Sequence, residues 1–384
     1  MAELKRIVGK TYIGLLVCLL VFNMLILVSD KTDDLQVTYA YIEMLNTAEG
    51  VKSDSKLSTE AATIAWQEYF QKHEINGSDS SDKTAAAKQA REKLMQQAKY
   101  IDNYKGIIED KRQTAILYAT AGTYKKNSFE YNNLLKTQYD LSQIIDADVQ
   151  LSNGLWLEKL YKNNYIHLLT LITCVYTVYM FFSERKNGLY HIVHTGQSGR
   201  GVLFVKRSII LLIQAVVTNV ALYTESAVML LNRYDGVKDL NVAAVSDEYF
   251  ILTSGKLSRI QFLGLIILLS ILANVVLSLV LWAILLCFGN VNIGLFFYCC
   301  ICVADVVIYK VISAKSILQI FKYLNVYYLF FPNKAAEYFN WGCFNIAVSL
   351  LTTTIIVSVF IGILALFASA YISIRKYFTG KMNI

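Results

Sequence analysis

Six long stretches of this chain carry almost no charge: residues 12–28, 165–182, 208–231, 262–288, 294–312 and 344–372. A helix needs about 20 apolar residues to cross the roughly 30 Å hydrocarbon layer of a bilayer. Backbone amides in that layer must bond within their own segment, which favours helices over open sheets. Each stretch therefore reads as a membrane span. Charged residues make up only 17% of the chain, against about a quarter in ordinary soluble domains, and they are concentrated between the spans. The expected fold is all-α: a polytopic membrane protein with six transmembrane helices.

The first span could be mistaken for a cleaved signal peptide, because Lys5, Arg6 and Lys10 precede it. Ser29-Asp30 offers no small-x-small cleavage site, and no cysteine lies in a lipoprotein-type box. Residues 1–29 are thus expected to hold a cytoplasmic N-terminus and an uncleaved first span.

From 30 to 163 the composition turns polar and lacks proline, which predicts a helical extracytoplasmic domain. Ser58 is placed to cap a helix that runs to His73 or Glu74, ended by Asn76-Gly77. Ser81 or Asp82 then begins a long helix. Along it Leu94, Ile101, Ile108 and Ala115 recur every seven residues, with Tyr104 and Tyr118 beside them, the pattern of a coiled-coil-like seam. Gly122 breaks that helix, and Ser128 can cap a partner carrying Tyr131, Leu134, Leu141 and Ile145. The pair predicts an antiparallel hairpin, with Trp66, Tyr69, Phe70 and Trp156 packed against it. The domain is either a spacer or a docking surface for a peptide or protein partner.

Residues 164–384 form the expected transmembrane domain, with a cytoplasmic loop at 183–207 and an aromatic extracytoplasmic segment at 313–343. That segment holds the single proline, Pro332, and reads as short interfacial or re-entrant helices. With six spans both termini share a side. Lys5, Arg6, Lys10, Arg185, Lys186, Arg200, Lys206, Arg207, Arg375, Lys376 and Lys381 then collect there, and the positive-inside rule makes it the cytoplasm. Arg233, Lys256, Arg259, Lys315 and Lys322 fall on the other side without reversing the bias. The net charge of +7 points to anionic lipid at the membrane surface, not to nucleic acid.

Catalytic signatures are missing from the sequence. Gly9-Lys10-Thr11 resembles the end of a phosphate-binding loop, but Leu4 stands where its first glycine belongs. Gly196-Gln197-Ser198-Gly199-Arg200 lacks the closing glycine of a nucleophile elbow. Asn76-Gly77-Ser78 matches a glycosylation sequon that a bacterial protein would rarely use. His191 and His194 have no carboxylate or cysteine beside them to complete a metal set. All seven cysteines, Cys18, Cys174, Cys287, Cys299, Cys300, Cys302 and Cys343, lie in or beside apolar runs. Cys299, Cys300 and Cys302 read as small buried apolar residues. The chain is expected to be no enzyme by itself, with no metal and no cofactor of its own.

The loop between the second and third spans is the informative segment. Leu189, Ile192 and Val193 give a short amphipathic helix, Gly196 is suited to stop it, and Ser198 to cap the next. A span ending in Glu184, then basic residues, Gly188, a short helix, a small-residue turn, Arg200 and Lys206 resembles the coupling segment of ABC-2 type transporter permeases. The layout of six spans, an outer domain after the first and a re-entrant stretch before the last is similar to that family too. The resemblance covers nearly the whole chain except the outer domain.

The resemblance implies a permease of the bacterial plasma membrane that pairs with a separate ABC ATPase dimer. A second copy or a related permease would complete the pair. ATP and Mg would act through the ATPase. The contacts would fall on Glu184, Arg185, Gly188, Leu189, Tyr190, His191, Ile192, Arg200 and Lys206.

Polar residues inside the spans are the second lead. Carboxylates in hydrocarbon are costly and must face protein, water or a cation. Glu225 and Asp305, with Asn23 and Asn274, are candidates to line a path for a cationic or amphipathic cargo. The structural alternative is a local pairing, for example Asp305 with Lys310. The expected function is export of a hydrophobic or cationic amphipathic cargo, a peptide, lipid or drug. The alternative is a non-transporting receptor or mechanotransmitter whose outer domain recruits a partner.

Overall fold

A computed structural model describes residues 9–29, 35–51, 57–73, 82–186, 199–252, 255–288, 290–312, 319–324, 327–343 and 346–378. The protein is an all-α polytopic membrane protein with one small β-hairpin among the described residues. Six helices are long and apolar enough to cross a membrane: α1 (Lys10–Ser29), α7 (Tyr165–Lys186), α8 (Gly199–Tyr234), α9 (Arg259–Cys287), α10 (Val291–Val311) and α14 (Leu350–Phe378). Between α1 and α7 stand α2 (Leu35–Val51), α3 (Ser58–Lys72), α4 (Asp82–Thr120), α5 (Phe129–Ile144) and α6 (Leu155–Lys162). Three short helices, α11 (Gln319–Tyr323), α12 (Tyr327–Phe330) and α13 (Pro332–Ala335), precede the hairpin.

Side-chain bonds give the directions of the spans. Tyr12 meets Thr218 and Asn23 meets Ser226, so α1 and α8 run parallel. Gln214 bonds Thr173, and Arg207 lies over Phe181, so α7 runs against α8. Ser270 bonds Asn219 and Trp282 stacks on Phe204, which sets α9 antiparallel to α8. Gly362 approaches Val276, and Leu350 packs with Tyr323 and Tyr327 near the domain end. The start of α1 and the end of α14 therefore point to the same end of the bundle, and α2–α6 cover the other.

Two spans differ from expectation. The third is a 36-residue helix, about 54 Å long at 1.5 Å per residue. It outreaches the bilayer core and takes Arg200, Lys206 and Arg207 into its first turns. The last span begins at Leu350, not at residue 344. Asn340–Cys343 and Ile346–Ser349 pair instead as an antiparallel hairpin, β1 and β2, with Asn340 opposite Ser349 and Trp341 opposite Val348. An apolar run before a helix is indistinguishable from the helix by hydropathy alone. The tertiary anchor is Trp341, buried, whose indole donates to Thr353 Oγ1 at 2.7 Å.

In the α2–α6 domain five of the six residues expected along the α4 seam are buried. Leu94, Ile101, Ile108 and Ala115 are buried, as is Tyr104, while Tyr118 is exposed. Gly122 takes a left-handed φ of +70°, open to glycine without a steric cost. Ser128 Oγ accepts from the Tyr131 amide, and α5 folds back antiparallel on α4, where Tyr104 donates to the Ile144 carbonyl. Trp66 receives the Arg91 guanidinium over its ring, and Trp156 is fully buried. Ser58, expected as a cap, is instead the first residue of α3. Its amide and that of Thr59 donate to the Asp102 carboxylate at 2.7 and 2.9 Å. A carboxylate from a neighbouring helix thus does the capping, favoured by the positive end of the helix dipole. Asn76-Gly77 lies outside the described residues.

Domain and spans share one hydrophobic core. It runs from Met44 and Leu94 through Trp156 to Leu27 of α1, Ile166 of α7, Leu222 of α8 and Phe262 of α9. Cys299 and Cys300, expected to be buried, face outward from α10. That span packs chiefly on α9, so most of its apolar surface is left for lipid.

Candidate functional site

The interior of the spans is unusually polar, and the polar groups form a column between α1, α7, α8 and α9. Nearest the domain, Asn23 is fully buried. Its Nδ2 donates to Glu225 Oε2 at 2.9 Å and to Ser226 Oγ at 2.8 Å. One turn deeper, the imidazole of His167 lies 3.4 Å from the Tyr223 hydroxyl and 3.5 Å from Ser270 Oγ. Ser270 donates to Asn219 Oδ1 at 2.6 Å. Deeper still, Tyr12 and Thr218 hydroxyls meet at 2.8 Å, and Gln214 donates to Thr173 at 2.7 Å. Ser278 Oγ lies 3.0 Å from Cys174 Sγ and 3.3 Å from Asn274 Oδ1, with one proton to give to either.

Local structure explains how so many polar groups sit in hydrocarbon. Thr170, Thr173 and Thr177 return their hydroxyl protons to carbonyls three or four residues back in α7, which satisfies them within the helix. Their oxygens then remain available to α8. The column is not saturated: Asn23 Oδ1, Gln214 Oε1 and Asn274 Nδ2 have no hydrogen-bond partner among the described residues. A crevice of about 10 Å3 lined by His167, Ser270, Asn274, Leu329 and Pro332 reaches it from the α12–α13 side. That is near the smallest volume that holds a single water.

Of the candidate path residues, the structure joins Asn23 directly to Glu225 and places Asn274 in the same column through Ser278. Asp305 does not join them; it stands half-buried on α10, two turns beyond Tyr298. Sequence reading missed Tyr12, His167, Gln214, Thr218, Asn219 and Ser270. The signal was present in the spacing. Ser270, Asn274 and Ser278 recur every four residues, and Gln214, Thr218 and Glu225 share a face of α8.

Of the residues expected to meet an ATPase, Gly188, Leu189, Tyr190, His191 and Ile192 lie outside the described residues, as do Val193, Gly196 and Ser198 of the same loop. Glu184 and Arg185 belong to the last turn of α7, and Arg200 to the first turn of α8. Lys206 is exposed.

A second polar centre fixes the domain onto the spans. Arg259, the first residue of α9, is fully buried. Its guanidinium donates to Ser152 Oγ at 2.8 Å and Asp247 Oδ2 at 3.2 Å, and lies 4.0 Å from Asp239. Gly154 allows this closure, because a Cβ there would fall 1.7 Å from Asp247. Burial pushes the Asp247 and Asp239 carboxyls above their ordinary range in spite of Arg259. Nearby Glu49 is pushed up to about 7, by burial first and then by Asp239. Arg259 is therefore matched by buried acid, which explains why a cation counted against the charge bias by sequence does not act as a loop charge.

Comparison with family models, with curated proteins and with solved structures gave no match. The fold and the column define the class: a multi-pass α-helical membrane protein with a polar interior and a helical domain seated on one end.

Proposed function

We propose that this chain is the permease subunit of an ATP-driven exporter, moving a hydrophobic or cationic amphipathic cargo outward with a separate ATPase. The observation that carries the reading is the polar column. Amides, hydroxyls and one carboxylate face the interior of four spans while their outer surfaces stay apolar. Ionisable and amide groups so placed are a common mark of a transport route. Asn23 and Glu225 would meet a cationic group near the domain end, and His167, Asn219 and Asn274 would offer neutral partners deeper in. The helical domain would stand outside the cell, both termini in the cytoplasm, and the segment between α7 and α8 would receive the ATPase. Rigid-body motion of the spans would then open the column to either side. Two permease chains would share one ATPase dimer.

The test uses the full chain co-expressed with its candidate ATPase. Glu184→Gln, or deletion of 189–194, is expected to abolish ATPase co-purification and ATP-dependent export. Retention of both would overturn the coupling role. Export lost in Glu225→Gln with the ATPase still bound would tie the column to cargo.

The alternative reading, a receptor or mechanotransmitter, draws support from the shared core and the Arg259 centre, which would pass force from the domain into the spans. Deleting the domain separates the readings. Loss of partner recruitment with flux intact favours the receptor.

A further inference from the structure

At the seam between α1 and α8 the polar column ends in oxygens that lack donors. Asn23 Nδ2 gives its two protons to Glu225 Oε2 at 2.9 Å and to Ser226 Oγ at 2.8 Å. The oxygen of the same amide, Asn23 Oδ1, is buried with no hydrogen-bond partner among the described residues. Glu225 receives the Asn23 bond and, among the described residues, no ion pair. A carboxylate can accept about four hydrogen bonds and an amide oxygen about two. A buried acceptor left without a donor costs free energy. What the seam lacks is therefore a donor, and beside a carboxylate the strongest donor is a cation.

Depth and surroundings narrow the choice. Asn23 lies six residues inside the end of α1 and Glu225 nine inside the end of α8, about 9 and 14 Å at 1.5 Å per residue. Both sit below the level at which residues of the helix ends meet the headgroup layer. Glu225 is only half-buried, so the seam is open toward lipid. Its surroundings are apolar. Phe22, Met24 and Val228 are exposed beside it, and Val217 is exposed two turns deeper on α8. Ala221, one turn below Glu225, is half-buried. A hydrated metal ion gains nothing from such a lining, whereas an alkyl chain would cover it.

We propose that Asn23 and Glu225 bind the primary ammonium group of a single-chain amphipathic amine. It would enter between α1 and α8 from the leaflet beside the helical domain, with its alkyl chain along Ala221 and Val217. A primary ammonium carries three N–H donors, enough to serve Glu225 and Asn23 Oδ1 together. A quaternary ammonium carries the same charge and no donor. The inference rests on the reading of the column as a cargo route and names the polar group of the cargo. Binding needs neither nucleotide nor ATPase, so it can fail while the coupling role stands, and the reverse.

The experiment titrates the full-length protein in phosphatidylcholine nanodiscs, without ATPase or nucleotide, with radiolabelled dodecylammonium. Dodecyltrimethylammonium, dodecanol and methylammonium are tested as competitors, and empty nanodiscs give the background. Dodecylammonium is expected to bind at one saturable site. Dodecyltrimethylammonium and dodecanol should compete at least about tenfold more weakly, the effect of one lost hydrogen bond to a charged group. Glu225→Gln should weaken binding by at least about tenfold on the same ground. Asp110→Asn, on the exposed face of α4, should change nothing. The proposal is overturned by background binding only, by equal binding to Glu225→Gln, by an equal loss in Asp110→Asn, or by equal competition from dodecyltrimethylammonium. Equal competition by methylammonium overturns the amphipath and leaves a small-cation site. Should Glu225→Gln misfold, an alkylammonium carrying a diazirine decides on the wild-type protein. Labelling of peptides 19–27 and 217–228 supports the site, and labelling only elsewhere refutes it. Failure here with ATPase co-purification intact strikes the cargo group alone.

Discussion

The helical domain and the span bundle solve opposite packing problems. In the domain, alanines, leucines and tyrosines such as Ala61, Ala90, Leu94 and Tyr104 are buried, and lysines and glutamates face out. Water drives that arrangement, since burying apolar surface is the main gain. In the bundle, Val21, Phe22, Leu212, Phe296 and Phe367 are exposed, while Asn23, Gln214, Asn219 and Asn274 are buried. Lipid tails are as apolar as leucine, so hydrophobic burial no longer distinguishes inside from outside there, and hydrogen bonds and close packing hold the helices together. The two regimes meet at Arg259, where a charged network sits within one continuous core.

The largest effect is expected where the regimes meet. Arg259→Ala leaves Asp247 and Asp239 buried without their cation, a change that typically costs about 3–5 kcal/mol. Calorimetry in detergent should show the domain melting at lower temperature and apart from the spans. A single transition at the wild-type temperature would mean that the shared core alone couples them.

A smaller effect sharpens the aqueous side. Glu49 binds its proton more tightly folded than unfolded, so the folded state holds more protons between the ordinary carboxylate range and about 7. Stability should therefore fall as pH rises through that window and level off above it. Asp239 and Asp247, also raised, act in the same direction. Glu49→Gln is expected to flatten the slope and to be more stable than wild type at about pH 8 by on the order of 1–3 kcal/mol. Melting curves at about pH 5 and about pH 8 check it, and an unchanged slope would place the titration elsewhere.

The smallest change in stability belongs to the bundle. Hydrogen bonds between membrane helices contribute about 0.6 kcal/mol on average and rarely more than about 1.7. Asn23→Leu, which loses the bonds to Glu225 and Ser226, should cost about that much in a detergent unfolding titration. Several kcal/mol lost would make the column a structural scaffold like the domain core and erase the contrast.

Much of the architecture was legible from local pattern. The spans declared themselves by length and missing charge, and the long helix α4 by the helical spacing of its apolar residues, because both signals are carried by residues close together in the chain. The site was half legible: Asn23, Glu225 and Asn274 stood out as amides and an acid in apolar runs. His167 and Tyr223 did not, since histidine and tyrosine are ordinary near a membrane surface until something places them at its interior. The hairpin at Asn340–Ser349 was hidden within an apolar run, and the Asp102 cap joins residues more than forty positions apart.

The sequence by itself determined that the chain carries six helices long and apolar enough to cross a membrane, with further helices after the first of them. Solvent preference and helical period act residue by residue, and composition is enough to read them. Only the tertiary structure decided that α1 pairs with the C-terminal half of α8, that four spans turn their polar stripes toward one another, and that Arg259 meets Ser152 of the domain as well as the acids of the loop before it. Those outcomes depend on which helix faces which. In a bilayer every helix can satisfy its own backbone alone, so neighbours are chosen by contacts between residues far apart in the chain.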